Sequence, residues 1–87
     1  MLTKKDICKY NECLDILKAL KMRGHACHIG MDNWFFVVSG NETQTYSICV
    51  YGRVESALKD DMVVRAYNIT IQDALKMLTE FLATTTA

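Results

Sequence analysis

The segment His25-x-Cys27-His28, with Cys8, Cys13 and Asp32 elsewhere in the chain, supplies the thiols, imidazoles and carboxylate from which metal sites and nucleophilic centres are built. Structural zinc sites take such ligands in pairs about two to four residues apart within a knuckle. Alternation along a strand would turn Cys27 away from His28, and Cys8 and Cys13, five positions apart on a helix, fall on different faces. Core thiols and strand-surface imidazoles are the plainer reading, so neither a metal nor any other cofactor is expected. A nucleophilic mechanism needs a thiol that ionises readily beside a base. Cys8 is the best candidate, close to the positive end of the first helix, on its polar side and near Lys4, Lys5 and Lys9. A cysteine-based enzyme or redox sensor at Cys8 is therefore one reading. Against it, the chain shows no Cys, His and Asp arrangement in a recognisable context, no glycine-rich phosphate loop, no serine elbow and no paired-carboxylate motif. Gly24, Gly30, Gly40 and Gly52 all fit turns or strands. The expectation is a protein that is not an enzyme.

The elements that would position these groups belong to one small domain spanning residues 1–87. The chain is 51% hydrophobic and 23% charged, with ten basic residues against ten acidic and no proline. That is too apolar for a disordered chain, and too short for more than one core. The longest apolar run, Trp34 to Val38, is far below the roughly 18 residues of a membrane span, so no membrane partner is expected. The opening Met1-Leu2-Thr3-Lys4-Lys5-Asp6 moves directly into a charged helical pattern without the apolar stretch of a secretory signal, which makes the expectation a cytoplasmic protein with reduced thiols. The two Asn-x-Thr triplets at Asn41 and Asn68 then carry no functional weight.

Thr3-x-x-Asp6 reads as a helix start, and Ile7, Tyr10, Leu14 and Leu17, with Cys13, Ile16 and Leu20 beside them, make an apolar stripe. Gly24 suits the left-handed position after the helix end, which bounds the first helix at residues 4–23. From His25 the period turns to alternation as far as Met31, and Asp32-Asn33 reads as a tight turn. Trp34 to Ser39 and Thr43 to Tyr51 are strand-like, with Gly40-Asn41-Glu42 between them. Residues 54–59 suit a short helical turn and residues 62–67 a fourth strand. Thr70-x-x-Asp73 opens a second helix that runs to about residue 83, with Ile71, Ala74, Leu75, Leu78 and Leu82 on one face. The expected fold is α+β, a two-layer α-β-β-β-(β)-α domain whose helices share one face of a three- to four-stranded antiparallel sheet.

Two features bear on partners. Trp34-Phe35-Phe36-Val37-Val38 is apolar on both sides of a strand, and Tyr46 and Tyr51 follow on the next, so the second sheet face either meets a partner or is covered by long neighbouring side chains and the 52–61 segment, unless these are scattered surface aromatics that need no explanation. Charge is also uneven. Residues 1–23 hold six basic residues, Lys4, Lys5, Lys9, Lys18, Lys21 and Arg23, against three acidic ones. With Glu12 and Asp15 among the lysines, a solvated mixed face is the simpler account of this basic helix.

The α-β-β-β-α order resembles that of double-stranded RNA-binding domains, which implies recognition of A-form shape through the first helix, a strand-connecting loop and a lysine cluster opening the second helix. Here the second helix opens Thr70-Ile71-Gln72-Asp73-Ala74-Leu75-Lys76, with an acidic residue in place of lysines. The stretch Tyr67-Asn68-Ile69-Thr70-Ile71-Gln72-Asp73-Ala74-Leu75 is locally similar to the strand-turn-helix of HicB-type antitoxins. In size and style the chain is also similar to compact phage-encoded inhibitor proteins. The leading expectation is a non-enzymatic protein-interaction module, an inhibitor or regulatory subunit, that binds another protein or a second copy of itself through Trp34, Phe35, Val37, Tyr46 and Tyr51. The alternatives are a nucleic-acid binder using Lys4, Lys5, Lys9, Lys18, Lys21 and Arg23, and the thiol chemistry at Cys8.

Overall fold

A computed structural model of the chain describes residues 4–38, 41–53 and 62–85; of these, the side chains of 33–38, 41, 42 and 53 are outside the description. Five elements follow in order: α1 (Lys4–Met22), β1 (His25–Val38), β2 (Asn41–Arg53), β3 (Met62–Ile69) and α2 (Ile71–Thr84). The three strands form one antiparallel sheet in the order β1-β2-β3. The α-β-β-β-α architecture is thus an α+β fold, as the hydrophobic periods require. The residues expected to form a helical turn at 54–59, and the Thr3 cap, lie outside the described residues.

The helix boundaries follow local chemistry. Gly24 has φ 95° and its N–H bonds to the Lys21 carbonyl at 3.0 Å, so a residue without Cβ closes α1 in the left-handed region. At the other end of the chain, Thr70 Oγ1 accepts the Asp73 N–H at 3.2 Å and caps α2. Asn68, just before it, is at φ 53°. Asparagine tolerates that region better than most side chains.

Two sequence expectations need correction. Asp32-Asn33 is not a turn: β1 runs unbroken from His25 to Val38, and its register against β2 shifts between Met31 and Phe35. The polar pair serves a bulge instead. The Asp32 carboxylate accepts the Ser47 hydroxyl at 2.7 and 2.8 Å to its two oxygens, and the Asn68 N–H at 3.0 Å, while the Asp32 carbonyl accepts from the Gln44 amide. With those groups satisfied by β2 and β3, nothing drives the chain to reverse. The two strands expected at 25–31 and 34–39 are one, and 62–69 is the third strand and not a fourth. The apolar stripe of α1 is also narrower than its composition suggests. Cys13, Leu17 and Leu20 are buried with Tyr10 and Ile16 against them, whereas Ile7 (49% exposed) and Leu14 (42%) lie to one side.

α1 packs on β1 and on α2, and α2 packs on β2 and β3, so both helices cover the same sheet face. Between the layers sit Cys13, Leu17 and Leu20 of α1, Cys27, Tyr46, Ile48 and Val50 of the sheet, and Ile71, Ala74 and Leu78 of α2. Arg23 ties the helices together beyond this core, donating to the Leu82 carbonyl at 3.1 Å and to the Thr85 hydroxyl at 2.6 Å. β3 pairs with β2 only from Tyr46 to Tyr51. The pairs from Phe35↔Gln44 to Val38↔Asn41 therefore extend beyond the third strand as a two-stranded arm, in a molecule 46 Å long and 20 × 15 Å across.

Candidate functional site

Register decides what the uncovered sheet face carries. His28 pairs with Cys49 and Cys49 with Arg65, so one row crosses all three strands on the side opposite Ile48 and Val50. Ser47 and Tyr51 flank Cys49 on β2, and Val63 and Tyr67 flank Arg65 on β3. Val63, Arg65 and Tyr67 are exposed, Tyr67 to 54%. The Arg65 guanidinium lies 4.8 Å from the centre of the Tyr67 ring, a cation-π contact, and its Nε donates to the Tyr67 hydroxyl.

Cys49 lies beneath this surface, 6% exposed, with its Sγ 3.3 Å from His28 Nδ1 and 3.4 Å from Nε2. Its other neighbour is Tyr51. A hydrogen bond with Cys49 pushes the Tyr51 phenol above its ordinary range, with the charge of Cys49, burial and Tyr67 acting in the same sense and Arg65 against them. Next to the row, β3 and α2 bound a groove of about 390 Å³ lined by Val63, Val64, Arg65, Met77, Glu80, Phe81 and Thr84.

Of the residues expected to anchor a partner, Tyr51 lies on the open face and is half-buried. Tyr46 does not. It is fully buried on the helix side, its ring 5.8 Å from that of Tyr10, and burial followed by the charge of Asp6 raises its phenol pKa. Parity was the available signal, since residues 46 and 51 of one strand fall on opposite faces unless a bulge intervenes. Phe35 and Val37 belong to the arm by backbone pairing, Trp34 precedes them within the register irregularity, and the side chains of all three lie outside the described residues. Arg65, Tyr67 and the His28–Cys49 contact were missed because they depend on the pairing of distant strands, which no local pattern encodes.

The basic residues do not form one surface. Lys4, Lys5, Lys18 and Lys21 are exposed, but the roughly 100° step of a helix puts Lys5 on the other side from Lys4 and Lys18. Lys9 donates to the Gln72 side chain at 3.5 Å, and Arg23 is engaged at the end of α2. Cys8 is exposed on α1. Of the two histidines, His28 is at the surface, but His25 is buried, contrary to the expected strand-surface imidazole. Its Nδ1–H donates to the Tyr51 carbonyl at 2.7 Å, its ring meets Phe81 edge-on at 5.3 Å, and its Nε2 has no partner. His25 and Cys27, two positions apart on β1, share the interior face as strand alternation requires, and the extra residue of the register shift between them lies on β2. Among the described residues no three His, Cys, Asp or Glu side chains gather as a metal site would need, and no helix is long and apolar enough to cross a membrane.

Compared with protein-family models, with curated proteins and with solved structures, the chain matches none, so residues and geometry alone carry the functional reading.

Proposed function

We propose that this chain is a small non-enzymatic protein-binding module, an inhibitor or regulatory subunit in kind, that engages another protein or a second copy of itself through the open sheet face. The observation that carries the reading is the placement of both helices on one side of the sheet, which leaves Tyr51, Arg65 and Tyr67 on the other. Tyrosine and arginine are the side chains that most often anchor protein interfaces, because each brings a large rigid surface together with a hydrogen-bonding end. Trp34, Phe35 and Val37 stay within the proposal as aromatic and β-branched residue types suited to an interface.

Tyr67→Asp combined with Arg65→Glu alters two exposed side chains and is expected to leave the circular dichroism spectrum and Tm unchanged. The wild-type chain and this variant would be immobilised side by side against an extract of the host cells, and their masses in solution followed by light scattering across concentration. The reading expects either a captured protein or a dimer that the variant loses. A monomer that retains nothing more than its variant does would overturn it.

A further inference from the structure

The four free cysteines meet four different surroundings. Cys8 is exposed on α1, Cys13 is enclosed by the core, and Cys27 faces the helices with its S–H directed at the Leu17 carbonyl 3.4 Å away. Cys49 is the one with an imidazole in hydrogen-bond reach among the described residues. A thiol becomes a nucleophile by losing its proton, and an imidazole in contact with it is the common acceptor. His28 is itself exposed, so its ring stands between the sulfur and water and can exchange a proton with both. Tyr51 is two residues along β2 on the same face as the sulfur, and Arg65 is the register partner of Cys49 on β3.

We propose that Cys49 and His28 form a thiol–imidazole pair that makes Cys49 the first of the three buried cysteines to be oxidised by small hydroperoxides. The sulfur rests against the ring face, nearly equidistant from both nitrogens, so a turn of the ring about its Cβ–Cγ bond first aims a nitrogen lone pair at it; His28 then takes the thiol proton, and the sulfur attacks the terminal oxygen of the peroxide. The S–O bond forms as the O–O bond breaks, two electrons pass from sulfur to the peroxide, and the proton on His28 leaves with the departing alkoxide. The products are a Cys49 sulfenic acid and an alcohol, or water when the oxidant is hydrogen peroxide. A small oxidant is required because the sulfur lies beneath a ring. Cys27, whose neighbour His28 faces Cys49, has its own sulfur on the opposite side of the sheet against Leu17, so it does not close a disulfide with the product. The oxidised form persists until an external thiol reduces it. This inference goes beyond the binding reading and does not rest on it.

The test treats the folded full chain, in a Cys8→Ser background, with hydrogen peroxide. After quenching, the chain is unfolded with dimedone and iodoacetamide present, and each cysteine is read by peptide sequencing in a mass spectrometer. Cys49 is expected to carry the dimedone adduct of its sulfenic acid before Cys13 or Cys27 does, and His28→Ala to slow that oxidation by about tenfold or more, the lower end of what a positioned base loses being larger still. The sign of the His28→Ala effect is decisive, because that change also uncovers the sulfur. Oxidation that is unchanged or faster in the variant means that His28 only shields the thiol, and overturns the proposal. So does oxidation of Cys13 or Cys27 ahead of Cys49.

Discussion

Cys13 sits between α1 and the sheet with no exposed surface, and burial, with a smaller contribution from Glu12, pushes its thiol from the ordinary 9.0 up to about 11. The folded value lies above the unfolded one, so the stability that comes from keeping this thiol neutral is complete below pH 9 and is lost as pH rises through 11. Cys27 and Tyr46 are shifted in the same direction, each mainly by burial. Urea unfolding at stepped pH is therefore expected to show stability falling between pH 9 and 11, and Cys13→Ala to make that fall shallower while lowering stability at neutral pH. An equal slope in the variant would place the alkaline loss elsewhere. At this scale the sequence was informative about what a residue can do and poor about what it meets. His28 was weighed against Cys27, its sequence neighbour, whereas its contact is Cys49, 21 positions away. Spacing has no access to that pairing until the β1–β2 register is known.

Elements were legible where the chemistry is local. The Thr70-x-x-Asp73 cap was readable because cap and bonded N–H are three residues apart, and Gly24 because a left-handed helix end favours glycine. Thr70→Ala removes the acceptor for the Asp73 N–H and is expected to cost about 1 kcal/mol, measured as a lower urea midpoint with unchanged slope. Elements were misread where one residue type serves two geometries. Asp32-Asn33 has the composition of a turn, and turns and bulges both need polar side chains that satisfy irregular backbone. What distinguishes them here is Ser47 and the Asn68 N–H, both supplied by other strands. The apolar width of α1 failed for a related reason. Ile7 and Leu14 have the composition of core residues, but the sheet meets the helix along Cys13, Leu17 and Leu20, and a helix alone does not fix its rotation about its axis.

For the molecule as a whole, two layers share one core, and Leu78 is fully buried in it, at the place where α2 meets α1 and the sheet. Leu78→Ala is expected to destabilise by about 2–5 kcal/mol, seen as one cooperative unfolding transition shifted to lower temperature. Two transitions would mean that α2 unfolds independently of the sheet. The order of elements and their two-layer packing were legible in the sequence, since each amphipathic segment has to cover its apolar side. The extent of β1 and the site on the open face were not, because both follow from how distant strands line up. Asp32 joins these two scales. Its carboxylate reaches Ser47 on β2 and the Asn68 N–H on β3, closing the three-stranded body at the point where the two-stranded arm departs. The arm beyond that clasp has no third strand among the described residues. A change at Asp32 therefore acts on the closure of the body and on the root of the arm together, since one carboxylate holds β2 and β3 where the sheet narrows from three strands to two.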